Sequence, residues 1–200
     1  MLHSSRIGVY GGAFDPPTVG HLHVINSVLS SDLVDMLLII PSFKHMYGKS
    51  MTSYDDRLAM CEIAFGSVDP CIHVSPIEAS LSDGFNPIAS KTLFAILQSR
   101  YPSSTICPII GQDNADTIGQ WVDGARLINQ YQFIVIPRIS NTPECVNRWY
   151  LQPPHVYMNQ IDATDTSSST ARSQISNGLG CDIINQNILK YITKRGLYVK

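Results

Sequence analysis

The sequence has no long hydrophobic run and no strong excess of either charge. Its longest apolar run, residues 36–40, is far shorter than the roughly 20 residues that a membrane-spanning helix needs. The net charge is −2 and the pI is near 6.3, so the chain lacks the general basic field that binds long nucleic acid. We therefore expect no membrane partner and no nucleic-acid partner, whereas a small anionic ligand held by a local cluster fits this balance.

Cysteine is sparse and shows no pairing pattern. The chain has 5 cysteines, an odd number without a Cys-x-x-Cys pair: Cys61, Cys71, Cys107, Cys145 and Cys181. This argues against a disulfide framework and against a zinc ribbon. The N-terminal sequence also lacks the cationic start and apolar run of a signal peptide. We expect reduced cysteines in a cytoplasmic protein.

Short apolar runs alternate with amphipathic stretches along the 200 residues, which are 44% hydrophobic and 15% charged. This alternation is typical of βαβ units. We predict one α/β domain over residues 1–200, with a Rossmann-like, doubly wound, mainly parallel sheet and helices on both faces. The predicted strands are 6–10, 34–40, 72–74, 105–110, 133–136 and 156–158, and the predicted helices are 21–29, 54–65, 91–100, 124–130, 170–176 and 186–194. The segment 140–155, rich in proline and polar residues, is predicted to be a long connection.

The stretch GGAFDPPTVGH, residues 11–21, leaves the first predicted strand and enters a helix. Gly11 and Gly12 allow a ligand to approach the backbone closely, and the helix start offers free N–H groups to a phosphate. His21 can donate to a phosphoryl oxygen. A glycine turn with a chance histidine is the alternative, but the combined motifs at this spacing favour a phosphate loop. The pattern is neither G-x-G-x-x-G nor a Walker P-loop.

A second anion-binding motif, TSSSTAR over residues 166–172, opens a late predicted helix. Hydroxyls and free N–H groups at a helix N-terminus can bind an anion, and Arg172 adds a charged fork one turn inside. Taken alone, this stretch would be an ordinary helix cap among surface serines.

Together the two motifs resemble the signatures of the nucleotidylyltransferase superfamily. The first is Gly-x-Phe-Asp-Pro followed by (His or Thr)-x-Gly-His, and the second is Ser-Ser-Thr-x-x-Arg, with Ser169 at a position where threonine is common. Within the superfamily the chain most resembles nicotinate-nucleotide adenylyltransferases, from Ile7 to Tyr198. The resemblance implies that Thr18, His21 and Arg172 are catalytic, and that the C-terminal helices, about 166–200, cover the sheet and complete the ATP site. It implies ATP binding by Gly12, Ala13, Phe14, Gly20, His21, Gly111, Asp113, Ser168, Ser169 and Arg172.

The resemblance also implies an acceptor site on the later strands. Asp113 follows Gly111 after a predicted strand, where a carboxylate suits ribose hydroxyls and an ordinary turn residue is the alternative. Trp121 is expected to stack on the pyridine ring, with a buried core tryptophan as the competing interpretation. Backbone N–H groups of Ala89 and Val122 could hold a nicotinate carboxylate.

Basic residues after two strands complete the acceptor site. Lys44 and His45, in a loop that also carries Lys49, are predicted to bind the triphosphate or the acceptor phosphate, and Arg138 follows another strand at the same edge. For Arg57, on the next helix, an ion pair alone is the simpler interpretation. The sequence also departs from the bacterial nicotinate enzymes: Thr18 stands where His is usual, and residues 87–89 read Pro-Ile-Ala where Ser-Tyr-Thr is expected.

The implied activity is adenylyl transfer from ATP to nicotinate mononucleotide or nicotinamide mononucleotide, giving deamido-NAD or NAD and pyrophosphate. Magnesium is expected to arrive with ATP, carried by substrate oxygens and water, with no protein side chain as a metal ligand. A pantetheine-phosphate adenylyltransferase is the nearest alternative, although that family is usually shorter and lacks the Trp121 region. A nucleotide-binding sensor without turnover is another, and intact His21 and Arg172 argue against it. A homo-oligomer is left open.

Overall fold

A computed structural model of the chain describes residues 5–46, 48–138, 148–159, 161 and 166–199. Within these residues six strands form one sheet in the order β3-β2-β1-β4-β5-β6, and every pair of neighbours is parallel. The strands are β1 (Arg6–Gly12), β2 (Met36–Pro41), β3 (Ile72–Val74), β4 (Thr105–Gly111), β5 (Ile134–Ile136) and β6 (Val156–Tyr157). The predicted Rossmann-like α/β fold is confirmed.

Helices connect the parallel strands. They are α1 (Val19–Ser30), α2 (Tyr54–Phe65), α3 (Ile77–Leu81), α4 (Ser90–Arg100), α5 (Gln112–Asp116), α6 (Gly124–Gln130), α7 (Ser168–Ser176) and α8 (Gln186–Arg195), with short 3₁₀ turns at Ile118–Gln120 and Trp149–Leu151. Ser53 caps α2 by accepting a hydrogen bond from the Asp56 N–H, which is the usual role of serine at this position. Gly196 ends α8 in a left-handed conformation, with φ 61°, as glycine commonly does after a helix.

The two faces of the sheet are buried in separate apolar clusters. Along β2, Leu37 and Ile39 belong to one cluster, while Leu38 and Ile40 belong to the other. Successive side chains of a strand point to opposite faces, so the continuous apolar run of β2 is explained by helices on both sides. Among the described residues no helix is long and apolar enough to cross a membrane.

The chain changes winding direction between β1 and β4, because it first builds the sheet outward to β3 and then returns to the other side of β1. In open α/β sheets, ligands bind at such a switch point, beside the carboxyl ends of the strands. Gly12 ends β1 and Gly111 ends β4. Both glycines of the predicted ligand loops therefore lie at the expected edge.

Several element bounds differ from the sequence prediction. β2 begins at Met36 rather than at residue 34, because the Asp35 N–H bonds to the Arg6 carbonyl before regular pairing starts. α3 and α5 were not predicted. Of the predicted connection 140–155, residues 140–147 lie outside the described residues, and so does Cys145. The four cysteines within the described residues form no disulfide.

Candidate active site

A cavity of about 1110 Å³ lies at the carboxyl edge of the sheet. It is somewhat larger than the roughly 300–1,000 Å³ of a typical small-ligand pocket, so it has room for a nucleotide and a second small ligand. All the residues that the sequence analysis places at the ATP or acceptor site line it. These are Gly12, Ala13, Phe14, Thr18, Gly20, His21, Lys44, His45, Ala89, Gly111, Asp113, Trp121, Val122, Arg138, Ser168, Ser169 and Arg172.

The loop after β1 is held in place by distant parts of the chain. Asp15 is 3% exposed, and its carboxylate accepts hydrogen bonds from the Tyr198 hydroxyl at 2.6 Å and from the Thr52 N–H at 3.4 Å. Arg57 donates to the Ala13 carbonyl at 2.8 Å. The loop therefore has a defined shape that does not depend on a bound ligand.

His21 is oriented by Thr18, the residue that precedes α1. The Thr18 backbone N–H donates to Nδ1 of His21 at 3.0 Å, and the Thr18 hydroxyl lies 2.8 Å from the same atom. Since Nδ1 accepts a hydrogen bond from a backbone N–H, the proton of the neutral ring is on Nε2. Nε2–H is thus the atom that can donate to a ligand.

The surroundings of His21 favour the neutral ring. Burial, with a smaller contribution from the nearby Arg138, lowers its pKa from the ordinary 6.5 to about 4. The rings of Phe14 and Tyr10 pack around it, with centroids 5.1 Å and 6.3 Å from the imidazole. A neutral N–H donor in apolar surroundings can stabilise negative charge on a ligand by hydrogen bonding. The imidazole does not have to be protonated on both nitrogens for this.

The N-terminal end of α7 is docked on the same loop. The Ser168 hydroxyl donates to the Pro16 carbonyl at 2.8 Å, and Arg172 Nη1 donates to the Asp15 carbonyl at 2.7 Å. Arg172 Nη2 also donates to the Ser169 hydroxyl at 3.1 Å. The two phosphate motifs, more than 150 residues apart in sequence, form one surface.

Gly20 allows α1 and Thr166 to approach closely. A Cβ built at Gly20 would lie 2.0 Å from Oγ1 and 3.3 Å from Cβ of Thr166, so the Thr166 side chain would have to move. The absence of a side chain at Gly20 therefore lets Thr166 lie against the start of α1.

Asp113 and Arg138 meet at the end of β4. Arg138 Nη1 lies 3.1 Å from Oδ2 of Asp113, while Oδ1 of Asp113 is buried without a hydrogen-bond partner among the described residues. The Asp113 side chain as a whole is 42% exposed, so its carboxylate borders the cavity with Arg138 beside it. The ribose-binding role of Asp113 stays a prediction.

A group of aromatic side chains supports α5, which carries Asp113. Tyr157 donates to Gln112 Oε1 at 2.8 Å, and Trp149 Nε1 donates to the Ala115 carbonyl at 3.1 Å. Neither contact was predicted: Trp149 lies in the segment predicted only as a connection, and Tyr157 lies on the predicted strand 156–158, for which no side-chain role was predicted.

The position of Trp121 is compatible with both interpretations, a ring that stacks on the acceptor and a core residue. It packs against the buried cluster on its face of the sheet and also lines the cavity. Nearby, Lys91 at the start of α4 forms an ion pair with Asp123, which ties the Trp121 segment to the helix that follows Ala89. The structure therefore brings together the two backbone segments predicted to hold the acceptor.

Lys44 points toward the loop before α4. Its ammonium donates to the Phe85 carbonyl at 3.0 Å and lies 5.8 Å from the centroid of the Phe85 ring. Partial burial, and to a smaller extent Lys49, lowers the pKa of His45. Lys44 and His45 both line the cavity, on the side formed by the loop after β2.

Two buried charged residues were not predicted as part of the site. Arg57 is 1% exposed and donates to three backbone carbonyls, so the ion-pair interpretation misses its main contacts. Glu78 is 6% exposed, lines the cavity and accepts a hydrogen bond from the Phe43 N–H at 2.8 Å. Only Arg57 has a signal in the sequence: it shares the helical face of Met60, Cys61 and Ala64.

Comparison with known proteins now identifies the class. The model of the cytidylyltransferase-like family matches residues 9–174. The chain therefore belongs to the cytidylyltransferase-like family, and it is a nucleotidyltransferase.

Individual similar proteins carry a more specific name than the family does. A protein of Gemmatimonas aurantiaca named probable nicotinate-nucleotide adenylyltransferase is 30% identical, over 96% of this chain and 92% of that protein. A protein of the same name from Anaeromyxobacter dehalogenans is 27% identical over 99% of both chains. The fold is similar to that of Plasmodium falciparum nicotinic acid mononucleotide adenylyltransferase complexed with NaAD, with a TM-score of 0.82, 22% identity and 97% of both chains covered. The predicted resemblance to nicotinate-nucleotide adenylyltransferases is confirmed.

Proposed function

We propose that the chain transfers AMP from ATP to nicotinate mononucleotide, or to nicotinamide mononucleotide, and releases pyrophosphate. The observation that carries this proposal is a single cavity in which both phosphate motifs, Asp113 and Trp121 meet. The names of the relatives support the same acceptor. The small substrates and the four free cysteines of the described residues favour the cytoplasm as the compartment.

In this reaction a phosphate oxygen of the acceptor attacks the α-phosphorus of ATP in line. The new P–O bond forms as the bond to the β-phosphate oxygen breaks, and pyrophosphate leaves with that electron pair. No protein nucleophile is needed, so the protein contributes positioning and charge stabilisation. His21 donates from Nε2–H to an α-phosphate oxygen, while Thr18 holds the ring in the tautomer that makes this possible. The direct phosphate contact predicted for Thr18 stays a prediction.

The leaving pyrophosphate is bound at the docked end of α7. Ser168, Ser169 and Arg172 line the cavity. The Ser168 hydroxyl already donates to the Pro16 carbonyl, so the donors offered to phosphate oxygens are the Ser169 hydroxyl, the backbone N–H groups at the start of α7 and the remaining N–H groups of Arg172. Elsewhere in the cavity, the partly exposed carboxylate of Asp113 accepts from a ribose hydroxyl of ATP.

The residues of the site fit a magnesium ion that arrives bound to ATP. In the described part of the chain no three His, Cys, Asp or Glu side chains come together as a metal site, whereas the loops offer hydroxyl and N–H donors suited to phosphate. When bound, the ion would neutralise charge on the phosphate oxygens. Ser168, Ser169 and Arg172 would hold the phosphates that carry it.

The acceptor lies on the side of Trp121. Its pyridine ring stacks on the indole, and backbone N–H groups at Ala89 and Val122 face its carboxylate or amide. Because side chains at residues 87–89 add no hydroxyl here, the choice between acid and amide depends mainly on the backbone.

A product assay tests the proposal. The protein is incubated with Mg-ATP and, separately, with nicotinate mononucleotide, nicotinamide mononucleotide or 4′-phosphopantetheine, and the products are identified by mass. We expect pyrophosphate and a dinucleotide with a pyridine mononucleotide only. Turnover with phosphopantetheine alone would contradict the acceptor, and ATP binding without any turnover would favour a sensor.

A further inference from the structure

The backbone N–H and the backbone carbonyl of Phe43 each form a hydrogen bond with a buried ionisable side chain. The Phe43 N–H donates to Glu78 Oε2 at 2.8 Å, and Arg57 Nη2 donates to the Phe43 carbonyl at 3.3 Å. Phe43 immediately precedes Lys44 in the loop after β2. The backbone position from which Lys44 and His45 extend is therefore set by Glu78 and Arg57.

Arg57 connects this loop to the phosphate loop. Besides Phe43, its guanidinium donates to the Ala13 carbonyl at 2.8 Å and to the Thr52 carbonyl at 3.0 Å. One rigid, planar group thus spans three separate backbone segments. The Ser42 N–H also donates to the Gly12 carbonyl at 2.9 Å. The loop after β1 and the loop after β2 are fixed relative to each other at their roots.

Glu78 anchors the same loop from the cavity side. It lies on α3, outside the α2 helix that carries Arg57, and the residue is 6% exposed. Burying a carboxyl group in this way is costly unless it has hydrogen-bond partners. The described partner is a backbone N–H of the loop that holds the predicted phosphate ligands, which favours a role in the geometry of the site.

We propose that Arg57 and Glu78 are positioning residues that hold the Lys44–His45 loop at a fixed distance from the phosphate loop. They thereby set the acceptor phosphate against the α-phosphorus of ATP. This inference rests on the proposed function. Misplacing reacting groups by about 1 Å can cost on the order of 10²-fold in rate, so a shift of this loop should be visible in kcat.

The test compares Glu78→Ala with Glu78→Gln. Glu78→Ala removes the acceptor for the Phe43 N–H and should lower kcat by about 10- to 100-fold with both substrates saturating. Glu78→Gln keeps a carbonyl oxygen in nearly the same place and should restore most of this loss. Glu62→Ala, which removes an exposed glutamate of α2, is the matched control and should behave as wild type.

A second measurement does not depend on activity. Hydrogen exchange of peptides covering residues 12–14 and 42–46, followed by mass spectrometry, should be faster in Glu78→Ala than in Glu78→Gln or wild type. Arg57→Lys keeps the charge but cannot span three carbonyls, so it should show the same acceleration. If Arg57→Lys unfolds, the Glu78 pair decides alone.

The outcomes separate the two proposals. Absence of turnover by wild type would contradict the proposed function, whereas exchange would still report whether Glu78 holds the loop. Unchanged exchange and normal kcat in Glu78→Ala would overturn the positioning role. An equal loss of kcat in Glu78→Ala and Glu78→Gln would overturn it as well, because the hydrogen bond to Phe43 would not be the cause.

Discussion

His21 has a defined proton position because Thr18 occupies one side of its ring. With Nδ1 engaged by the Thr18 N–H, only Nε2–H can donate into the cavity. We predict that His21→Ala lowers kcat by roughly 10²–10³-fold, as expected when one preorganised donor to a developing charge is removed. The free energy of unfolding should change far less. Steady-state kinetics and thermal unfolding measure the two quantities, and an unfolded or fully active variant would contradict the catalytic role.

Glu78 should make the fold less stable as the pH rises toward neutrality. Burial raises its pKa from the ordinary 4.5 to about 7. Between these values the folded chain keeps a proton that the unfolded chain has released, so the free energy of unfolding falls as pH increases. Glu78→Gln lacks this contribution. Denaturant unfolding should therefore show wild type losing stability relative to Glu78→Gln across that window, and a constant difference would argue against the raised pKa.

Trp121 can be assigned to the acceptor or to the core by one substitution. Its indole borders both the cavity and the buried cluster. We predict that Trp121→Ala raises the KM of the pyridine mononucleotide more than that of ATP, since lost stacking costs on the order of 1 kcal/mol beyond burial. Equal changes in both Michaelis constants, or loss of the fold, would instead indicate a core residue.

α7 carries Arg172, the residue predicted to bind the leaving pyrophosphate. Arg172 uses both Nη atoms, one on the Asp15 carbonyl and one on Ser169, so its planar shape fixes the end of α7 on the phosphate loop. Arg172→Lys keeps the charge but loses the fork, and this exchange is not conservative at a phosphate site. We predict that forward turnover and the reverse reaction with pyrophosphate both fall.

Binding of the mononucleotide alone should scarcely change in Arg172→Lys, because the proposed acceptor site lies beside Trp121 and does not include Arg172. Calorimetry on the mononucleotide with wild type and variant decides this point. A large loss of acceptor affinity with normal pyrophosphate binding would mean that Arg172 holds the acceptor phosphate.

Elements with a clear amphipathic or apolar pattern and end signals were predictable, even short ones. The bounds of α2, α6 and β3 agree with the prediction. α3 and α5 have five residues each, which is too short for helical periodicity to show. They form where the chain turns at the sheet edge, and tertiary contacts rather than a local pattern determine them.

The motif residues of the candidate site could be predicted from the sequence, whereas the residues that hold its loops in place could not. Motif residues such as His21 and Arg172 carry recognisable chemistry at fixed spacing. Glu78 and Arg57 form hydrogen bonds with backbone atoms of other loops. Every residue type has these backbone atoms, so the sequence does not show which of them a distant side chain will contact. The direct phosphate contact of Thr18 and the ligands of Lys44 stay predictions.

Tyr198, near the end of the described residues, supports the loop after β1 although it does not line the cavity. The Tyr198 hydroxyl donates to Asp15 Oδ1 at 2.6 Å across 183 residues of sequence. Asp15 is 3% exposed, so the loss of one partner leaves a buried carboxylate poorly satisfied, at a cost of about 1–3 kcal/mol.

We therefore predict that Tyr198→Phe lowers the free energy of unfolding by that amount and weakens ATP binding, because the loop that contacts ATP loses a support. Denaturant unfolding and ATP calorimetry measure the two effects. Tyr101→Phe, at the end of α4 and outside the cavity lining, is the matched control and should change neither. If Tyr198→Phe lowered stability while ATP bound normally, the C-terminus would support the fold without shaping the phosphate loop. Unchanged stability would show instead that the hydrogen bond to Asp15 contributes nothing measurable.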